Sequence, residues 1–318
     1  MPLFLSILFV SAVLTLPPFL LGWIGHWYWF PLLYLAGVLT LAVLFIGFTY
    51  LVTRFVNTQK PWLRHHPLYR FLSNRMMEFA MLVLQIKVHV RGAEMLPKEK
   101  YLLVCNHRSS MDPLLTMWIL RKQRIGFVAK KGIFRIPVIG RLMHTCFCLA
   151  LDRGNLREEI ETINQAADMI KQQTAVIGIY PEGQRNPGNE LLPFRTGAFK
   201  IAKKAESPIA VAVIRNPEWV AKRAPLRRTH IYLDFIGVLD ADFVRANTTA
   251  AISDRVREMM EAALAKLPTL PPARYVEVNY IPLKVRSRGR SFDVPRDFSQ
   301  EKCKRLLTFW HRRVRMKM

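Results

Sequence analysis

Tyr101-Leu102-Leu103-Val104-Cys105-Asn106-His107-Arg108-Ser109-Ser110-Met111-Asp112-Pro113 opens with five apolar residues in a row and turns polar at Asn106. An unbroken apolar run of that length suits a strand covered on both faces, the condition of a parallel sheet. The polar stretch after it reads as a loop and then a helix start: Ser109 or Ser110 fits an N-cap, and Pro113 is tolerated in a first turn. A strand that hands over to a helix in this way points to an α/β layer architecture. In open parallel sheets ligands collect at the carboxyl ends of the strands, so His107 emerges where chemistry is expected.

The alternation continues in both directions. Residues 85–91 alternate apolar with polar and stop at Gly92, which marks a half-buried strand. Downstream the pattern predicts a helix over 113–121, strands over 125–129 and near 146–151, an amphipathic helix over 156–172 and a buried strand over 175–180. A Pro/Gly-rich loop, a helix over 197–205, strands over 209–214 and 230–238 and a last helix over about 250–266 complete a domain placed at 81–272. The expected fold class is α/β, a mixed and largely parallel sheet flanked by helices.

Hydropathy and charge divide the rest. The 318 residues are 51% hydrophobic yet carry a formal charge of +24, and residues 1–53 contain no Lys, Arg, Asp or Glu at all. Residues 3–24 and 27–52 are two apolar stretches, each near the roughly 20 residues that cross a bilayer as a helix, so 1–53 is expected to form two membrane-embedded helices. The start, Met1-Pro2-Leu3-Phe4-Leu5, lacks the basic residue of a cleaved signal. Both stretches are read as spanning, the alternative being a pair that re-enters one leaflet with Pro17-Pro18 as the break. Arg54, Lys60, Arg64, Arg70 and Arg75 come soon after, which places the large domain on the cytoplasmic side, as in a bacterial inner membrane. Residues 54–80, with Trp62, Leu63, Leu68, Phe71, Leu72, Met76 and Phe79 among the basic side chains, read as an amphipathic connector in the headgroup layer. Residues 273–318 carry thirteen Lys or Arg against four acidic residues and read as a basic tail.

Three motifs carry the chemistry. His107 with Asp112 is the first: a carboxylate on one imidazole nitrogen fixes the tautomer and leaves the other as a base. The second is Tyr180-Pro181-Glu182-Gly183-Gln184-Arg185, where glycine lets the backbone approach a ligand and Arg185 offers a planar fork to phosphate oxygens. Alone it also describes a surface turn with a structural ion pair. The third, Lys130-Lys131-Gly132-Ile133-Phe134-Arg135-Ile136-Pro137-Val138-Ile139-Gly140, also reads as a loop touching the membrane.

In this order and spacing, over roughly residues 80–240, the motifs resemble the glycerolipid acyltransferase family, most of all its bacterial lysophosphatidate acyltransferases. The resemblance makes 81–272 an acyltransferase domain with His107 as base and Asp112 as its orienter. It implies that Lys130, Lys131, Glu182, Gly183 and Arg185 bind the acceptor, with Asn106, Pro137, Gly140 and Arg195 supporting the site. The implied reaction moves a fatty acyl group from acyl-CoA or acyl-carrier protein to the sn-2 hydroxyl of 1-acylglycerol-3-phosphate in the phospholipid bilayer, giving phosphatidic acid, without cofactor or metal. Acylation of another lysophospholipid is the alternative. Gln184, Gly132 and Val211 stand where the family usually has Thr, an acidic residue and Pro.

Other classes fit less well. A pI near 10.4 suits nucleic acid, but two uncharged apolar segments direct the same charge to an anionic bilayer, so no nucleic-acid partner is expected. A thiol enzyme using Cys105 beside His107 requires a depressed thiol pKa, which an apolar strand opposes. Cys105, Cys146, Cys148 and Cys303 form no C-x-x-C pair and no zinc-ligand spacing, as expected of reduced structural thiols.

Overall fold

A computed structural model of the chain describes residues 3–22, 26, 28–58, 66–152, 154–188, 190–266, 276–278, 284–287 and 290–293. Two apolar helices lead, α1 (Leu3–Leu20) and α2 (Trp29–Thr53), and α3 (Pro67–Val83) comes next. The domain then runs β1 (Ile86–Arg91), β2 (Leu102–Cys105), α4 (Asp112–Ile119), β3 (Ile125–Lys130), α5 (Ile139–Thr145), β4 (Leu149–Leu151), α6 (Leu156–Lys171) and β5 (Val176–Ile179). It closes with α7 (Lys200–Ala205), β6 (Ile209–Arg215), α8 (Val220–Arg223), β7 (Thr229–Leu239), α9 (Ala241–Ala246) and α10 (Thr249–Lys266).

These strands form one sheet in the order β4-β3-β5-β2-β6-β7-β1, with β8 (Val276–Val278) added at the β1 edge. β4, β3, β5, β2 and β6 are mutually parallel, and β7 runs against β6 while pairing parallel with β1. The carboxyl ends of these five adjacent strands therefore lie along one edge. Each face is covered: α3 and α4 bury Met81, Leu115 and Trp118 over one, and α6, α7 and α10 bury Ile170, Ile201 and Met260 over the other. Burial on both sides is why β2 and β6 read as continuous apolar runs, while β1 keeps its alternation.

Several boundaries differ from the sequence reading. The strand expected near 146–151 is only Leu149–Leu151, because Ile139–Thr145 forms a helix that turns back through Phe147 at φ 62. In the tail, β8 and a separate hairpin of β9 (Lys284–Ser287) and β10 (Arg290–Asp293) occupy a region read as plain extension. Other residues of that tail, with Lys60, Trp62, Leu63 and Arg64 of the connector, lie outside the described residues.

α1 and α2 pack as an antiparallel hairpin. Ser11 donates to the Tyr34 carbonyl at 2.9 Å, Phe19 meets Phe30 at 5.3 Å, and a Cβ on Gly37 would approach the Ser11 hydroxyl to 2.6 Å. Close backbone approach at small residues is the usual way such helices associate. Among the described residues only α2, at 25 residues, is long and apolar enough to cross a membrane; α1, at 18, is shorter than the 3–24 stretch expected of it. Pro17 and Pro18 do not break α1 but lie in its last turns, where the Pro17 carbonyl still accepts from the Leu21 amide at 2.9 Å.

One glycine links the sheet to what lies at its edge. Gly178 on β5 is paired with Phe127 on β3, and the Phe127 ring lies over it so closely that a Cβ would meet ring carbon at 2.2 Å. Gly178→Ala is expected to lower stability by ~1–3 kcal/mol through overpacking. Thermal unfolding in detergent tests this; an unchanged midpoint would show that the ring moves aside freely.

Candidate functional site

β2 ends at Cys105, and its last interactions with β6 are made by a side chain. Asn106 accepts from the Ile214 amide at 2.8 Å and donates to the Ile214 carbonyl at 3.1 Å, which extends the ladder by one residue. His107 is thereby the first residue beyond the sheet. Its amide donates to Glu182 Oε1 at 2.9 Å, and its carbonyl accepts from the Asn186 amide at 2.6 Å. Both partners belong to the loop after β5, the neighbouring strand.

The imidazole is fixed as firmly as its backbone. Nδ1 lies 2.9 Å from Asp112 Oδ2, and that oxygen also accepts from the Arg108 and Ser109 amides at 2.7 and 2.8 Å. Asp112 opens α4, so the carboxylate folds back over its own N-terminus, where negative charge is favoured. Burial pushes its carboxyl above the ordinary range, opposed by the hydrogen bonds from His107, Ser109 and Arg108. Tyr180 stacks on the imidazole with centroids 4.3 Å apart, and Phe127 stacks on Tyr180 at 5.3 Å. The ring over Gly178 is thus the foot of a three-ring stack that ends on His107. With Asp112 accepting at Nδ1, the tautomer places the proton there and leaves Nε2 an acceptor. Among the described residues Nε2 has no partner, and the side chain is 17% exposed.

The loop after β5 begins with a tight turn in which the Gly183 amide donates to the Tyr180 carbonyl at 3.1 Å. Gly183 takes φ 71, the left-handed region that glycine enters at little cost. Glu182, inside this turn, is 4% exposed, and its second oxygen accepts from Asn186 Nδ2 at 3.2 Å and the Leu192 amide at 3.1 Å. Its carboxylate is thus occupied by the protein itself. That differs from the acceptor contact implied by resemblance: Glu182 holds the loop against His107.

The remaining expected residues separate into three groups. Lys130 and Arg185 are exposed at the same carboxyl-end edge, on β3 and after β5. Lys131 instead bonds Glu158 at 2.7 Å and Asp152 at 3.2 Å, which raise its pKa and hold it as an ammonium paired with carboxylates. Arg195 has an exposed side chain, while its amide donates to the Pro181 carbonyl at 2.9 Å and closes the same loop. Pro137 lies in the segment that joins β3 to α5 and Gly140 in the first turn of α5; a Cβ on Gly140 would sit 2.1 Å from the Phe134 carbonyl.

Sequence reasoning passed over Arg108. Its guanidinium takes both oxygens of Glu218, at 2.9 and 3.0 Å, and donates to the Pro187 and Gly188 carbonyls at 2.9 and 2.7 Å. One side chain therefore joins the loops after β2, β5 and β6. Glu218 had no signal in the sequence, since its loop carries no motif. Cys105 is 1% exposed, and burial, then the charges of Asp112 and Glu182, push its thiol well above its ordinary value. A buried thiol held in its protonated form is poorly suited to be a nucleophile, which argues against the cysteine alternative.

Known proteins resemble this chain in sequence and in fold. Residues 87–215 match the family described as Acyltransferase. A 1-acyl-sn-glycerol-3-phosphate acyltransferase of Saccharomyces cerevisiae is 27% identical over 203 residues, covering 60% of this chain and 67% of that protein. One of Cocos nucifera is 30% identical over 171 residues, covering 52% and 54%, and the alpha form of Bos taurus is 26% identical, covering 58% and 65%. The crystal structure of the 1-acyl-sn-glycerophosphate (LPA) acyltransferase PlsC from Thermotoga maritima superposes with a TM-score of 0.55 at 19% identity, over 72% of this chain and 90% of that one, a likeness of fold. The matched part of this chain spans about half to two thirds of the length of these curated relatives. The match over residues 87–215 and these relatives support reading that part of the chain as a glycerolipid acyltransferase domain.

The Arg108–Glu218 pair is half-buried, with side chains 12% and 17% exposed, so it is screened less than a surface pair. Arg108→Ala and Glu218→Gln, alone and together, are expected to show a coupling of ~0.5–3 kcal/mol in unfolding measurements. Strictly additive effects would show that the three loops are not joined through this pair.

Proposed function

We propose that this protein transfers a fatty acyl group from a thioester donor, acyl-CoA or acyl-carrier protein, to the sn-2 hydroxyl of 1-acylglycerol-3-phosphate, giving phosphatidic acid. The observation that carries the reading is the His107–Asp112 pair, just beyond the carboxyl end of β2, whose Nε2 has no protein partner among the described residues. Relatives named for this activity across yeast, plant and animal support it.

The geometry suits direct transfer. Nε2 of His107 takes the proton of the acceptor hydroxyl as that oxygen attacks the thioester carbonyl carbon. The tetrahedral intermediate then collapses, the carbon–sulfur bond breaks, and the thiolate leaves with the proton from the imidazolium. Asp112 steadies the cation that forms in between and keeps the ring from turning. No covalent acyl-enzyme is required, and Cys105 is unsuited to form one.

Arg185 and Lys130 are exposed cations at this edge, and we assign to them the acceptor phosphate. The acceptor reaches them from the bilayer in which α2 is embedded, with the domain on the cytoplasmic side.

Purified full-length protein in vesicles, supplied with labelled acyl-CoA and a panel of lysolipids, tests the assignment. Transfer is expected to 1-acylglycerol-3-phosphate in preference to lysolipids without a terminal phosphate. Arg185→Ala is expected to raise the acceptor KM on the order of tenfold while leaving the donor KM within about twofold, as loss of one charge-assisted contact implies. Preference for another lysophospholipid would move the function to membrane remodelling, and an effect confined to the donor KM would remove Arg185 from the acceptor site.

A further inference from the structure

We propose that the segment from Ile133 to Ile139 is a second membrane contact, three isoleucines that enter the boundary between headgroups and acyl chains of the leaflet from which α2 emerges. The inference rests on reading α2 as bilayer-embedded. It gives a use to a segment that the catalytic description leaves without one.

The pattern begins with local geometry. Lys131–Arg135 is a 3-10 helix, in which side chains three apart eclipse one another. Ile133 lies in it, Ile136 follows it in extended backbone and Ile139 opens α5; the three are 39, 46 and 48% exposed, while Phe134 between them packs against the core. Exposed apolar residues are ordinary when scattered singly; three within seven residues of one short segment are a concentration that needs a partner.

The loop is held in this pose from beneath. Val138 sits at φ 64, ψ −59, in a γ-turn closed by the Ile139 amide on the Pro137 carbonyl at 2.7 Å. A β-branched residue there carries strain, which persists only where the surroundings fix it. They do so here, because Val138 is 8% exposed and packs with Leu142 and Leu72.

Position supplies the occupant. The same small cluster takes in Phe45 and Val52 of α2, and Arg141 lies over the Tyr50 ring at 5.9 Å. The isoleucines are therefore beside the last turns of the apolar helix, immediately before Arg54, the first charged residue of the chain. Residues 131–145 contain Lys131, Arg135 and Arg141 and no Asp or Glu. An apolar tip beside basic residues is the composition that enters an anionic interface; Lys131 is paired with Glu158 and Arg141 stacks on Tyr50, which leaves the exposed Arg135 to meet the headgroups. Because β3 ends at Lys130, on the His107 edge, seating this loop also seats the crevice against the lipid surface.

The test uses the full chain with Cys146 and Cys303 replaced, since Cys105 and Cys148 are buried, and an environment-sensitive fluorophore placed through Ile136→Cys or, as control, Asp254→Cys on α10. The protein is reconstituted in vesicles of phosphatidylcholine and phosphatidylglycerol. At 136 the label is expected to be quenched by nitroxide groups carried on lipid and shielded from iodide; at 254 the reverse is expected. Equal iodide quenching at both positions overturns the proposal, and shielding at 136 that appears only at a high protein-to-lipid ratio overturns it in favour of a second copy of the chain. A companion variant, Ile133→Ser with Ile136→Ser and Ile139→Ser, is expected to lose on the order of tenfold in activity on bilayer-embedded acceptor and less than about twofold on a water-soluble short-chain acceptor. Were the unaltered chain to transfer no acyl group at all, the functional reading would fail while the probe depth still decided this one.

Discussion

Where the backbone ladder of β2 ends, buried polar side chains take over from it, and the site depends on their doing so. Strand-end amides at a carboxyl edge have lost their sheet partners, and leaving one buried and unpaired costs ~1–3 kcal/mol. Asn106 continues the pairing to β6, Glu182 takes the His107 amide from the β5 side, and Asp112 takes the next two amides while holding the imidazole. The same groups that complete the fold thus set the direction in which Nε2 points. This explains why a short, polar loop at the end of a fully apolar strand can be rigid.

Two further devices hold the edge together. Arg108 ties three loops with charge-assisted bonds, and the Phe127–Tyr180–His107 stack carries the shape of the core up to the base. The stack depends on Gly178, whose missing side chain leaves room for Phe127. Packing in the sheet and orientation at the site are therefore one problem.

Much of this was legible in the chain. The apolar run at 101–105 announced a covered parallel strand, and the polar turn after it placed His107 and Asp112 at a strand end and a helix start, where they lie. The role of Glu182 was not legible, because a carboxylate beside an arginine in a turn reads alike whether it faces a ligand or the backbone; its burial decides. Lys131 was equally ambiguous, since its partners Asp152 and Glu158 come from the end of β4 and from α6, distant in sequence. The helix at Ile139–Thr145 was hidden by Pro137 and Gly140, which read as a turn, and Glu218 acquires meaning only through a contact 110 residues away. Local pattern conveys which face is covered; it does not convey which distant polar groups meet there.

The central claim is that His107 and Asp112 work as a single proton-accepting unit. The most direct measurement is the acyl-transfer rate of His107→Ala, Asp112→Asn and the double variant under saturating substrates. His107→Ala is predicted to lose ~10²–10⁴ in kcat, the range of a positioned base, and the double variant to be no slower than His107→Ala alone. A His107→Ala protein that keeps its full rate, or a double variant whose loss is the product of the two single losses, would contradict the account.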